Sequence, residues 1–219
     1  MMINKQSSLM ILVLAIALIA AACGQVDKTT TASTAGTAAG GAKTLENLQT
    51  AFDGESNANA KYLAFAKKAD EEGYAKVASL FRAAARAEEI HKDNHAQVIG
   101  KMGGVPKADV KIPEIKTTAE NLKGAIEGES YERDKMYVDF LNEARTVGNK
   151  DAVRTFNFAK TAEAEHAKLY AEALANLEKW KGEKTTFFVC STCGYTTLDG
   201  KIEKCPVDFT PKEKFEAIN

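Results

Sequence analysis

The chain has few cysteines to staple it and no excess of basic charge with which to bind polyanions. Its four cysteines are Cys23, Cys190, Cys193 and Cys205, so no disulfide can hold the long stretch between the first two, and helix packing or metal must do so. A net charge of -1 and a pI near 6.3, with no basic cluster, leave no electrostatic footprint for nucleic acid. Only three histidines occur in 219 residues. No apolar run approaches the roughly 20 residues of a membrane-spanning helix; the run Leu9–Ala22 is too short and ends in small residues.

That run follows a short polar start with Lys5 and reads as a targeting segment over residues 1–22. Ile19-Ala20-Ala21-Ala22-Cys23 resembles a bacterial lipobox, with Ala20 where Leu is usual, which makes Cys23 a lipidation site and the mature N-terminus. An ordinary secretory signal is the alternative. Gly24, in place of an Asp, favours sorting to an outer membrane or cell surface, so an extracytoplasmic, lipid-anchored location is expected. Residues 23–43 are dominated by Thr, Ala, Gly and Ser and predict a flexible tether, with folded structure from Thr44.

Beyond it the chain repeats itself. Residues 51–91 match 125–166 with one residue inserted: Gly54-Glu55-Ser56 answers Gly128-Glu129-Ser130, Gly73 answers Gly148, Phe81 answers Phe156, and Glu88/His91 answer Glu163/His166. Apolar residues recur at three- and four-residue steps, predicting four long helices. These run to Gly73, from Ala75 to Met102, from Thr118 with Glu120 as a cap, and from Lys150 to Trp180. A crossover carrying Pro106 and Pro113 joins the two hairpins, and the fold class is a mainly α, ferritin-like four-helix bundle over residues 44–182.

Glu55, Glu88, Glu129 and Glu163 occupy the apolar stripes of the four helices, where an unpaired charge is costly. Glu88/His91 and Glu163/His166 lie three apart, on one helix face each. Together they are the inventory of a two-metal carboxylate centre, with oxygen-rich donors that suit iron or manganese, and Glu163 is expected to serve both metals. Glu132 adds a fifth carboxylate on one side only. Glu55 to Tyr62 is seven positions but Glu129 to Tyr137 is eight, which turns Tyr137 roughly 80° off the site unless a π-bulge absorbs the insertion. Tyr62 and Tyr137 then stand beside the metals, or else are plain core aromatics. His95, whose counterpart is Tyr170, reads as a neighbour of the site and not a ligand; Asp53 is expected to face solvent.

The GES, AEEIH, GESYE and AEAEH segments, in this order, resemble the rubrerythrin family from about residue 44 to the end. All seven ligand positions of that family are filled, by Glu55, Glu88, His91, Glu129, Glu132, Glu163 and His166. The resemblance implies a di-iron peroxidase that reduces hydrogen peroxide to water, with Glu132 and His91 alternating on one iron and Tyr62 and Tyr137 assisting. It implies an electron donor as partner and a homodimer as assembly. Residues 183–219, with Cys190, Cys193 and Cys205, resemble a rubredoxin domain whose fourth cysteine is Asp208. Asp208 completes an iron or zinc site, or water does, or the site is empty with Cys190 and Cys193 oxidised. A ferritin-like ferroxidase without a dedicated donor is the alternative function.

Overall fold

Two helical hairpins build the bundle, and each is closed by the same backbone device. The computed structural model describes residues 30–219, with side chains from Gly40 onward. The first hairpin is α1 (Thr30–Glu71) and α2 (Ala75–Lys101). The second is α3 (Thr118–Tyr131), a π-helical turn (Glu132–Met136) and α4 (Tyr137–Thr146), continuous with one another, followed by α5 (Lys150–Ala175). At Gly73 (φ 81°) and Gly148 (φ 71°) the chain turns left-handed. Tyr74 N–H then reaches Ala69 O at 2.8 Å and Asn149 N–H reaches Ala144 O at 2.9 Å, closing both helix ends identically. The duplication seen in the sequence is thus a duplication of backbone structure.

Helix α3 starts where a capping box dictates: Thr117 accepts from Glu120 N–H and the Glu120 carboxylate accepts from Thr117 N–H. Asn149 caps α5 in the simpler way, accepting from Ala152 N–H at 3.0 Å. The crossover is held by a stripe of three polar residues one turn apart on α1. Gln49 donates to Val105 O, Asp53 accepts from Asp109 N–H at 2.7 Å, and Asn57 accepts from Lys111 N–H at 2.8 Å. Asp53 thus stands at the surface, away from the polar layer, and there fastens the connection.

One correction concerns the start of the fold. The tether expected as far as Lys43 is helix from Thr30 on, and Thr44 Oγ1 donates both to Gly40 O and to Glu143 on α4. An alanine-rich segment added to an existing helix incurs no nucleation cost, so weak burial does not prevent it from being helical. Cys23 and the targeting segment lie outside the described residues. Among the described residues no helix is long and apolar enough to cross a membrane.

Two apolar clusters fill the bundle, one around Tyr62, Phe81 and Tyr170, the other around Tyr137, Phe156 and Ile99. The polar layer lies between them. The last helical turns, Leu177–Trp180, lead into a small three-stranded antiparallel sheet of order β2-β1-β3, made of β1 (Phe187–Cys190), β2 (Thr196–Thr197) and β3 (Phe215–Ile218). Phe187 and Val189 of β1 join the first bundle cluster, and Arg86 on α2 grips Glu216 on β3 with two hydrogen bonds of 2.7 and 2.8 Å. The C-terminal unit is seated on the bundle beside its polar layer.

Candidate metal centre

Each long helix of the bundle delivers one buried carboxylate to the polar layer. Donor atoms of Glu55, Glu88, His91 and Glu163 lie within 4.8 Å of one another, as do those of Glu88, Glu129, Glu163 and His166. The two groups share Glu88 and Glu163, so this pair faces both positions while Glu55/His91 and Glu129/His166 each face one. All six residues are buried. The spacing of three residues acts as expected: His91 Nδ1 lies 2.9 Å from Glu88 Oε2, and His166 Nδ1 lies 2.9 Å from Glu163 Oε2.

The two imidazoles alone do not satisfy this much buried charge. Glu55 Oε2, Glu88 Oε1, Glu129 Oε2 and Glu163 Oε1 have no hydrogen-bond partner, which buried oxygens avoid unless something else binds them. Burial and the neighbouring Glu88 carboxylate push Glu163 well above the usual carboxylate range. Glu88 is raised by burial and by Glu129. Burial would also raise Glu55, but His91 and His95 more than reverse it. For His91 burial favours the neutral ring, yet Glu163 and Glu55 lift it well above the ordinary imidazole value. Four carboxylates and two neutral imidazoles would match the charge of two divalent cations, and the donor set fits iron.

The π-helical turn does what the inserted residue requires. It returns Tyr137 to the interior, where its hydroxyl donates to Glu55 Oε1, while Tyr62 donates to Glu129 Oε1 at 2.5 Å. Each tyrosine thus reaches the unshared carboxylate of the other hairpin. Glu132 is the one expected metal residue that the structure leaves outside both groups. It opens the π-helical turn, and its Oε1 lies 4.0 Å from where a β-carbon on Gly54 would stand. Burial and the carboxylates of Glu55 and Glu129 raise it well above its usual value.

The outward nitrogens of both histidines are held by the C-terminal unit. His91 Nε2–H donates to Cys193 O at 3.0 Å, and His166 Nε2–H to Thr196 Oγ1 at 3.0 Å, which leaves Nδ1 as the nitrogen that faces the carboxylates and can bind a metal. Gly194 (φ 77°) permits this approach, since a β-carbon there would lie 2.3 Å from His91 Nε2. Nothing in the sequence announces these contacts, because Cys193 and His91 are 102 residues apart and share no pattern.

The C-terminal unit carries a second group of donors, Cys190, Cys193, Cys205 and Asp208, again within 4.8 Å of one another. Two loops of matching geometry present them. Gly194 N–H bonds Cys190 O and Cys190 N–H bonds Tyr195 O; Phe209 N–H bonds Cys205 O and Cys205 N–H bonds Thr210 O. The three cysteines are buried and form no disulfide with one another. Asp208 oxygens stand 3.6 and 3.7 Å from Cys190 Sγ, and Oδ1 accepts from Thr210 N–H at 2.9 Å. Hydrogen bonding to its neighbours favours a thiolate at Cys190 but raises Cys193 and Cys205, so a cation is needed to hold all three as thiolates.

Comparison with known proteins agrees with this construction. The family model described as Rubrerythrin matches residues 46–174. Nigerythrin of Nitratidesulfovibrio vulgaris is 41% identical over 175 residues, covering 80% of this chain and 86% of that protein. Rubrerythrin-2 of Clostridium acetobutylicum is 36% identical over 186 residues, covering 81% and 97%. The structure of fully reduced, all-ferrous nigerythrin superposes with a TM-score of 0.75 at 40% identity over the same shares as the sequence match. Desulfovibrio desulfuricans bacterioferritin, at 22% identity and a TM-score of 0.59, shares the fold alone.

Proposed function

The chain belongs to the rubrerythrin family, and from that membership we propose that it is a peroxidase reducing hydrogen peroxide to water with electrons supplied through its C-terminal metal site. At the coarser level it is an oxidoreductase with a di-iron centre, of a family of oxidative-stress defence. The observation that carries the finer reading is the pair of donor groups sharing Glu88 and Glu163. Glu55 and His91 would hold one iron, Glu129 and His166 the other, and Glu88 and Glu163 both. When bound, the two irons supply the two electrons that peroxide reduction consumes.

The rest of the work falls to the protein. Tyr62 and Tyr137 orient Glu129 and Glu55 and keep a hydroxyl hydrogen beside the site. Cys193 O and Thr196 lock the imidazole tautomers. A single hydrogen bond, His91 to Cys193, joins the two metal sites. Glu132 waits at the edge as an additional carboxylate.

The test is steady peroxide consumption by iron-loaded protein with a reduced donor, alongside Glu163→Ala, which should lose both irons. Iron uptake well beyond three ions per chain without peroxide turnover would favour ferritin-like iron handling instead. We also propose, from the sequence, that Cys23 anchors the protein to a bacterial membrane. Cys23→Ala should then release it from the membrane fraction or block signal processing, and unchanged fractionation would end that reading.

A further inference from the structure

A cleft of about 350 Å³ lies between α2, α5 and the C-terminal unit, lined by Asn94, Thr155, Thr192 and Asp208 and rimmed by the exposed Lys101, Asp151 and Arg154. From its floor a line of hydrogen bonds leads inward. Thr155 Oγ1 lies 2.9 Å from His95 Nδ1, His95 Nε2 lies 3.1 Å from the Tyr137 hydroxyl, and that hydroxyl donates to Glu55 Oε1. We propose that Thr155, His95 and Tyr137 are a proton relay from this cleft to the di-iron centre.

The hydrogen-bond roles fit one direction. Tyr137 has one hydrogen and gives it to Glu55, so it accepts from His95 Nε2–H; His95 Nδ1 then accepts from the Thr155 hydroxyl, whose oxygen takes a hydrogen from water in the cleft. His95 and Tyr137 are fully buried, and Phe156 packs against both rings at 5.5 and 5.9 Å. The inference rests on the peroxidase reading, in which H2O2, two electrons and two protons give two waters. Each proton enters at Thr155, every member passes its own hydrogen onward, and Glu55 hands the last one to a peroxide oxygen. No member needs to become charged, and the imidazole resets its tautomer after each proton, twice in every turnover.

A purely structural role would suit both halves of the duplicated bundle, yet only one half has the chain. The counterpart of Thr155 is Leu80, and that of His95 is Tyr170, whose buried hydroxyl has no partner. The same positions are packed there with no route inward.

The test compares Thr155→Val, which keeps the shape and removes the hydroxyl, with Thr155→Ser, which keeps the hydroxyl. Ferrous-loaded protein is mixed with hydrogen peroxide in H2O and in D2O, with two irons per chain verified in each variant. Thr155→Val should oxidise roughly tenfold or more slowly with an altered solvent isotope effect, and Thr155→Ser should recover both. In metal-free protein labelled with 15N-histidine, the His95 ring should show the neutral Nε2–H tautomer with an Nδ1 resonance that moves in Thr155→Val. Unchanged rate and isotope effect in Thr155→Val, or an Nδ1–H tautomer at His95, would overturn the relay. A parent that reduces no peroxide would overturn the peroxidase reading instead, while the tautomer still reports on the chain itself.

Discussion

Replacing Gly194 with alanine tests whether the C-terminal unit sits on His91 in solution. The residue has φ 77°, which a non-glycine residue adopts at a cost of about 1–2 kcal/mol, and this part is paid wherever the unit lies. The second part depends on docking. The new β-carbon would fall 2.3 Å from His91 Nε2 and 2.9 Å from Cδ2, so the loop must retreat by about 1 Å to reach ordinary contact. That retreat stretches the 3.0 Å bond from His91 Nε2–H to Cys193 O beyond hydrogen-bond range, costing roughly 0.5–1.5 kcal/mol more. Gly194→Ala should therefore destabilise metal-free protein by about 2–3 kcal/mol. In a His91→Ala background the clashing ring is gone, and the same substitution should cost only the backbone part. Thermal or urea unfolding of the four proteins gives the coupling as a double-mutant cycle. Equal costs of Gly194→Ala in both backgrounds would refute the contact between the loop and the imidazole.

Two other substitutions address how the C-terminal unit is held and what it holds. Arg86 and Glu216 are about two-thirds buried and paired through two bonds, so a double-mutant cycle should give a coupling of roughly 0.5–1 kcal/mol, read by hydrogen exchange in β3. Hydrogen bonding by Arg86 lowers Glu216 below its usual 4.5, so the stability it contributes is present above that pH and lost as pH falls through the lower, folded value. The difference between parent and Glu216→Gln should accordingly shrink on acidification; a difference constant from pH 7 to 3 would contradict the pairing. Asp208→Cys should give iron-loaded protein the visible thiolate-to-iron absorption of a four-cysteine site and a higher reduction potential, since a carboxylate stabilises ferric iron more than a thiolate does. An unchanged spectrum and potential would show that position 208 does not face the metal.

What was legible in the sequence is what repeats along it. The Glu and His spacing, the paired glycine turns and the capping box are local patterns, and each appears in the structure at the residues that announce it. Even the π-helical turn was visible, because counting seven positions in one repeat and eight in the other forces the extra residue to go somewhere. Contacts between distant segments left no such trace. Thr196 reaches His166 across 30 residues and Arg86 reaches Glu216 across 130, and neither pair has a periodicity to betray it. The helical course of residues 30–43 is hidden for a different reason: low apolar content predicts disorder, whereas a segment continuing a formed helix needs little burial to follow it.

Where duplicated parts differ, the difference follows what each copy touches. The two loops of the C-terminal unit share one backbone pattern, and both place the residue after their second metal-facing position in the left-handed region, Gly194 at φ 77° and Phe209 at φ 63°. Conformation alone would favour glycine in both. At Gly194 a side chain would also meet His91, whereas Phe209 is 67% exposed with nothing to strike, so the second loop tolerates a strained aromatic where the first cannot. The same loop carries Asp208 in place of a fourth cysteine, on the side that lines the cleft and away from the imidazoles. The bundle follows the same logic, with His95 and Thr155 beneath that cleft and Tyr170 and Leu80 at the matching positions of the other half. Two of these departures, Asp208 in the loop and Thr155 with His95 in the bundle, meet at one cleft, which touches both the carboxylate of the C-terminal metal group and the first hydroxyl on the path to Glu55. Water there can touch Asp208 and Thr155 without entering the apolar core.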